Sequence, residues 1–359
     1  MNPFSNALLD WYDHLNIEMP WRQAHQNPYH TWLSEIMLQQ TQIETVKPYF
    51  QRFLQAYPTV TDLANAPLDA VLKLWEGLGY YSRARNLHRA AQVVSQNFGG
   101  EFPSTADELL TLPGVGRYTA GAIASIAFGQ RAPVLDGNVI RVFTRLLDLA
   151  EDVTQTAVQA KLWRAAEAWL PENRVGDYNQ ALMDLGRLIC KPRTPVCSEC
   201  PISNHCLAFA NGTQALRPVK KAKAVTPHYE VTAGMIWNEK GELLIAQRPL
   251  DGLLGGLWEF PGGKQEAGET LPECLKRELR EELAIEVDVG DEFVQVKHGF
   301  THFKITLHAF TCQYVSGEPQ TLGVHAFAWV KPDDLARYSF GKADRQVIEA
   351  LSQRRSMLF

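Results

Sequence analysis

Several things this sequence lacks set the first limits. No apolar run reaches the length of a membrane span. The opening stretch MNPFSNALLDWYDH has neither a basic n-region nor an apolar h-region. The expectation is a cytoplasmic protein with no membrane partner. A positive net charge is also missing: 35 Lys and Arg against 40 Asp and Glu give −5. Spread evenly, that balance would argue against nucleic acid. It is not spread evenly. Residues 185–225 carry seven bases (Arg187, Lys191, Arg193, Arg217, Lys220, Lys221, Lys223) against Glu199 alone, while residues 266–292 carry ten acids against three bases. Phosphate binding needs a local positive surface rather than a positive total, so the net charge decides nothing. Cysteine is scarce too, and four of the six fall between positions 190 and 206. In a cytosolic chain, clustered cysteines read as metal ligands rather than disulfides.

What is present suits two domains: 359 residues, with 45% apolar and 21% charged, is ordinary soluble composition. The first half has no competing strand signal and reads as all-α. Trp21-Arg22 through Phe53 reads as helix, with Trp32, Leu33, Ile36 and Met37 in an apolar stripe. Glu35 lies opposite that stripe, with Gln39 and Gln42, as a solvated helix Glu or one facing a cleft. In Leu74-Trp-Glu-Gly-Leu-Gly-Tyr-Tyr-Ser-Arg-Ala-Arg, the two Gly, Tyr80 and Tyr81, and two Arg suit base stacking with phosphate contact, or a tight aromatic turn. From Ala157 to Ile189 the pattern is helical, with Trp163, Ala166, Trp169 and Leu170 expected in the core.

The chain is organised around Leu112–Asn138, LPGVGRYTAGAIASIAFGQRAPVLDGN. A capped short helix at Thr105-Ala-Asp-Glu-Leu-Leu and an apolar helix from Tyr118 to Phe128 flank a Gly-x-Gly turn. Gly114 and Gly116 permit that turn. The amides of Gly114, Val115 and Gly116 are expected to point outward at a helix N-terminus, a seat for phosphate. Asp136 follows in Val-Leu-Asp-Gly-Asn, before the segment starting at Val139. It caps the next helix, or serves as a functional carboxylate at a turn.

Cys190, Cys197, Cys200 and Cys206 form a C-x6-C-x2-C-x5-C array. Zinc is one reading, although zinc sites usually come as two tight pairs or include His. A cubane iron–sulfur cluster is the other, though the spacing is not that of ferredoxins. Cys274 and Cys312 stand apart and are expected to be buried thiols. Beyond the basic, Pro-bounded run Arg217–Pro227 the periodicity changes. Tyr229–Trp237 and Glu242–Arg248 read as strands around a turn at Asn238-Glu-Lys-Gly, followed by strands at Phe293–His298, Lys304–Tyr314 and Ala326–Val330. The second half is therefore α+β. Within it, Gly263-x5-Glu269-x7-Arg277-Glu278-Leu-Arg-Glu281-Glu282-Leu-Ala284-Ile285 puts Glu278, Glu281 and Glu282 on one helix face, an arrangement that suits Mg²⁺ bridging a pyrophosphate.

That last motif resembles the Nudix box at every fixed position but one, where Ala284 replaces Gly. The Gly114–Asn138 stretch resembles the helix-hairpin-helix and catalytic-aspartate signature of base-excision DNA glycosylases, and the cysteine array matches the terminal loop of the endonuclease III-like glycosylases. Together, from about Trp21 to the last strands, the chain resembles the A/G-specific adenine DNA glycosylases, the MutY family. The resemblance implies a helical glycosylase domain at 1–212 with a [4Fe-4S] loop at 190–206, a basic linker at 213–227 and a Nudix-like domain at 228–359. It carries the general acid onto Glu35, which would protonate adenine N7. The carboxylate near the developing oxocarbenium ion falls on Asp136, acting electrostatically or by forming a transient covalent sugar intermediate. Where bifunctional relatives have a Schiff-base Lys, this chain has Tyr118, which implies a monofunctional enzyme with Tyr118 and Asn138 positioning Asp136. The target base must be flipped out, with Gln40 and Tyr80 wedging the stack. Phe300, Thr301 and His302 would meet 8-oxoguanine, Thr301 standing where most relatives have Ser. By residue pattern alone, Thr301 and His302 look like sheet filling. The implied partner is duplex DNA with 8-oxoguanine·adenine or guanine·adenine mispairs, bound by a monomer. The near-complete Nudix box leaves an alternative open, a second, Mg²⁺-dependent nucleotide pyrophosphatase activity, beside an inherited scaffold that only recognises 8-oxoguanine.

Overall fold

The computed structural model describes residues 4–22, 27–221 and 225–356. Lys223, one of the basic residues noted above, lies outside them. The chain packs as two units: Met1–Asn65 with Asn86–Lys223, and Ala66–Arg85 with Ala224–Phe359. The segment 66–85 thus groups with the C-terminal half although helical sequence flanks it on both sides.

The first unit is helical among its described residues, as the sequence implies. Its elements are α1 (Ser5–Asp13), a 3-10 turn at Pro20–Arg22, α2 (Pro28–Leu38), α3 (Ile43–Ala56) and α4 (Val60–Asn65). After α5 (Leu68–Trp75), which belongs to the second unit, come α6 (Ser82–Asn97), α7 (Ala106–Leu109), α8 (Arg117–Phe128), α9 (Gly137–Leu146), α10 (Thr156–Ala168), α11 (Val175–Leu188) and, past the cysteines, α12 (Leu207–Ala210). Asn27 caps α2 by accepting the amides of Tyr29 and His30, and Pro28 opens it. Among the described residues, the single helix expected from Trp21 to Phe53 is a 3-10 turn and two α-helices. Gln40 sits at φ 58° between α2 and α3, a left-handed conformation that cannot continue a right-handed helix. Helix α9 runs through the core: Val139, Val142, Phe143 and Leu146 pack with Leu162 and Ala166 of α10, Leu182 and Leu185 of α11, and Ile202 of the cysteine loop. Leu170 is buried with them, while Trp163 and Trp169 cover this core from its edge.

The second unit is an α/β/α sandwich. Its strands are β1 (His228–Trp237), β2 (Leu243–Gln247), β3 (Trp258–Glu259), β4 (Glu286–Gly299), β5 (Lys304–Ser316) and β6 (Ala326–Val330), in the order β3-β2-β1-β5-β4 with β6 on β2. The β1–β5 pair is parallel and the others are antiparallel. Helix α13 (Leu271–Leu283) buries Leu275, Leu279 and Leu283 against Ile236, Leu244 and Phe310. Helix α14 (Lys342–Ser356) lays Val347 and Leu351 on the other face, against Met235, Ile245 and Ala309. Alternate residues of β1 and β2 feed the two layers, as a pleated strand requires. Cys274 and Cys312 are both buried, as expected. The two-residue β3 is too short to carry a periodic signal and has no counterpart among the expected strands. Among the described residues, no helix is long and apolar enough to cross a membrane.

Candidate functional site

The hairpin is built as its residues suggest, with two corrections. Thr105 caps α7 on the Glu108 amide and in turn donates to the Glu108 carboxylate at 2.6 Å. Gly114 sits at φ 76°, and a Cβ there would lie 2.6 Å from Asn86 Cβ, so only glycine fits. Gly116, by contrast, is extended backbone in open space, which any residue could adopt. The Val115 amide does not point outward: it donates to the Leu112 carbonyl at 3.1 Å and closes the turn. Gly114 and Gly116 are the more open positions of this turn, and Val115 is buried.

Asp136 is the N-cap of α9, so the plain reading of this residue holds. Oδ1 accepts the amides of Asn138 (2.9 Å) and Val139 (2.7 Å). Oδ2 accepts from Asn138 Nδ2 at 2.8 Å. The cap also has a second setting, visible only in three dimensions. Glu35 is not the solvated residue its helical wheel suggests; it is 7% exposed. Tyr118 of α8 donates its hydroxyl to Glu35 Oε2 at 2.5 Å. Burial pushes the Glu35 carboxyl up to about 7; the negative charge of Asp136 adds to that, while the Tyr118 hydrogen bond and the Arg22 charge oppose it. Burial likewise raises Asp136, against the pull of its hydrogen bonds from Val139 and Asn138. Two carboxyls and a phenol thus share one partly dry site, the first poised to hold a proton near neutral pH.

Further residues complete this neighbourhood without a linear signal. Arg22 donates to buried Asp184 Oδ2 at 2.6 Å, and Arg187 pairs with Oδ1 at 3.0 Å. Arg141 lies behind the cap. Its Nη2 donates to Asn138 Oδ1 (2.9 Å) and to the Gly186 carbonyl (2.6 Å), and its Nε to the Cys190 carbonyl (2.7 Å). Asn138 is therefore oriented from both ends: amide nitrogen to Asp136, oxygen to Arg141. Helix α11 comes so close here that a Cβ on Gly186 would meet Asn138 Cβ at 2.6 Å.

Arg145, one turn beyond Arg141, is fully buried and wrapped by the cysteine loop. It donates to the carbonyls of Lys191 (2.8 Å), Pro192 (2.9 Å) and Gln214 (2.9 Å), and to Cys190 Sγ at 3.1 Å. Cys190, Cys197, Cys200 and Cys206 are all unbridged and half-buried, and Cys190, Cys200 and Cys206 pack against the helical core. Among the described residues, no three His, Cys, Asp or Glu converge as closely as one ion needs; a single zinc would draw four sulfurs to about 2.3 Å from one point. Four unbridged soft donors in one short loop beside a buried guanidinium suit an anionic iron–sulfur cluster.

In the second unit, Thr301 and His302 do not fill a sheet. They stand at the tip of the β4–β5 hairpin, closed by the Phe300 amide on the Phe303 carbonyl at 2.8 Å, with the two Phe rings stacked at 4.6 Å. Tyr80, at φ 49° and 44% exposed, brings its hydroxyl to 3.1 Å from Thr301 Oγ1. The Nudix-box carboxylates do share a face of α13, yet Arg277 ties up two of them. It bonds Glu269 (2.8 Å), Glu278 (3.0 Å) and Glu281 (3.1 Å). Burial pushes Glu282 up to about 7, with Glu278 adding to the shift, and it also raises Glu278. Among the described residues these carboxylates do not converge as a single-ion site. Ala284 takes the left-handed C-cap (φ 56°) where the box has Gly, a backbone position that costs an L-residue about 1 kcal/mol.

Known proteins match this arrangement piece by piece. Residues 33–168 match the HhH-GPD superfamily of base excision DNA repair proteins, residues 190–206 the iron-sulfur binding domain of endonuclease III, and residues 232–350 the NUDIX domain. The segment that carries the four cysteines thus matches an iron–sulfur binding domain, consistent with a [4Fe-4S] cluster. Substituting Arg145 with Met would strip the loop carbonyls of their buried donor. Purified R145M should retain less than about half the iron per chain of the wild type, and equal iron content would refute this role. A thermostable thymine-DNA glycosylase structure is 31% identical with a TM-score of 0.53, covering 58% of this chain and 95% of that one. An endonuclease III trapped as a covalent intermediate with DNA is 25% identical with a TM-score of 0.50, at the same coverage. The adenine DNA glycosylase of Homo sapiens is 35% identical, covering 96% of this chain and 73% of its own length. That of Buchnera aphidicola subsp. Baizongia pistaciae is 42% identical, covering 72% and 73%. This chain belongs to the adenine DNA glycosylase family.

Proposed function

We propose that the chain excises adenine mispaired with 8-oxoguanine or guanine in duplex DNA, as a monofunctional glycosylase of base excision repair. The reading rests on Glu35, a carboxyl raised to about 7 and held by the Tyr118 hydroxyl, next to the capped carboxylate Asp136. With the adenine flipped into the site, Glu35 gives its proton to N7. The N-glycosidic bond breaks, its electron pair leaves with the neutral base, and positive charge develops at C1′. Asp136 faces that charge, oriented by Asn138, until water adds and returns a proton to the site. Tyr118 orients Glu35, and no lysine amine stands there to form a Schiff base. The strand is therefore left intact at an abasic site.

On the DNA side, Gly114 and Gly116 hold backbone phosphate beside Val115, and Gln40 and Tyr80 wedge the stack. Both wedges sit at positive φ, a strained backbone typical of functional residues. Phe300, Thr301 and His302 meet the opposite base. We assign 1–212 to the glycosylase, 213–227 to the linker and 228–359 to opposite-base recognition, acting as a cytoplasmic monomer.

The test is adenine release from a duplex with one 8-oxoguanine·adenine pair, its strands resolved before and after alkali. We expect cleavage only after alkali. Cleavage without alkali would replace the monofunctional reading with a lyase. No release by brown, cluster-loaded protein would remove the proposal.

A further inference from the structure

Residues 66–85 carry Tyr80 and pack in the second unit through a set of directional bonds. Asp69 accepts from Gln247 Nε2 at 2.9 Å, Lys73 donates to the Tyr338 carbonyl at 2.9 Å, and Arg85 donates to the Gly255 carbonyl at 2.6 Å. Glu76 is at their centre, its side chain 9% exposed. Its Oε2 accepts from Lys73 (2.9 Å) and from Arg345 of α14 (3.0 Å), and its Oε1 from the Phe340 amide (3.1 Å). The loop that follows is tied to itself. Trp75 Nε1 donates to the Gly79 carbonyl at 3.0 Å, and the Arg83 guanidinium lies 5.3 Å from the rings of both Trp75 and Tyr80. Moving this loop therefore moves Tyr80 as part of one piece, and Glu76 fastens that piece to α14 and the residues just before it.

Nothing in base release needs Glu76. A buried carboxylate is costly to desolvate, and two cations and an amide meet this one at one spot. An apolar plug would fill the same space without fixing a direction, whereas three convergent donors fix both distance and angle. We propose that Glu76 is a positioning residue for opposite-base recognition: it holds the loop so that the Tyr80 hydroxyl stays on Thr301 and the wedge and the 300–302 tip act as a unit. This rests on the roles given above to Tyr80 and Thr301.

The experiment measures single-turnover adenine release by the full, cluster-loaded chain on 8-oxoguanine·adenine and guanine·adenine duplexes, and takes the ratio. Glu76→Gln keeps the shape and one acceptor but leaves Lys73 and Arg345 without their counter-charge. Its ratio should fall about tenfold, with guanine·adenine release within about twofold of wild type. Arg345→Met, at a half-exposed position, should give a smaller fall in the same direction. Tyr80→Phe removes the bond to Thr301, and combining it with Glu76→Gln should lower the ratio no further than the stronger single change, since both act through one contact. A loss of stability alone would slow both duplexes equally and leave the ratio unmoved. If wild type shows no preference, or Thr301→Ala leaves it intact, the reading of the hairpin tip fails and this proposal with it. If wild type and Thr301→Ala behave as expected while Glu76→Gln and Arg345→Met keep the wild-type ratio, only the role of Glu76 is overturned.

Discussion

Replacing Asp136 with Asn should abolish adenine release, by about 10³-fold or more, with little change in folding. The asymmetry follows from its two duties. As a cap, the substituted carboxamide could still present an oxygen to the amides of Asn138 and Val139, which the carboxylate now holds at 2.9 and 2.7 Å. What the variant loses is the charge opposite C1′ and the bond from Asn138 Nδ2, because two amide nitrogens would then face each other. Asn138 cannot turn over to relieve this, since Arg141 holds its oxygen at 2.9 Å. The stability cost is one hydrogen bond, about 1 kcal/mol. Single-turnover release, duplex affinity and melting temperature separate these effects. Activity within about tenfold of wild type would refute the role of Asp136. The carboxyl must be ionised to act, and burial raises it above its ordinary value. Release in wild type should therefore fall on acidification along a limb above the usual aspartate range. Asn138→Ala, which removes a hydrogen bond favouring the anion, should move that limb to higher pH.

The second large effect is expected at Glu35, which must carry a proton before the step. A carboxyl near 7 is mostly protonated below that pH and mostly ionised above it. Release should therefore decline as pH rises through about 7, towards tenfold per unit. Glu35→Gln should remove this limb and cost about 10²- to 10⁴-fold. Tyr118→Phe supplies a sharper check. The phenol hydrogen bond favours the ionised form, so deleting it should shift the limb to higher pH. A limb that stays in place or moves down would show that another group delivers the proton. With the Asp136 limb, the profile is a bell whose two sides belong to the coupled pair.

Much of this molecule is open to reading from its residues. The helical first half, the Gly114 turn, the cap at Asp136, the cysteine loop and most strands of the second half rest on local rules. Glycine geometry, capping chemistry, ligand spacing and pleat periodicity act within a few residues of chain, so they show in sequence order. Motif resemblance then names the candidate site residues, including Glu35, Tyr118 and Thr301. Their environments are another matter. Glu35 looks solvated because a helical wheel shows only its own helix; α8, which delivers Tyr118, is 83 residues further along. The motif assigns Val115 an amide for phosphate that the closed turn has already used. Thr301 and His302 look like strand, because aromatics on both sides mimic alternation where the chain in fact reverses. Arg141, Arg145, Asp184 and Glu76 have no linear signal whatever: each is an ordinary helix-flank charge until distant carbonyls, carboxylates or amides close on it. The chain by itself determined which chemistry was on hand and which segments would carry it. Only the tertiary structure decided which carboxyl is dry enough to keep its proton and which arginine holds which carbonyl, because desolvation and charge pairing depend on distances that packing, not chain order, sets.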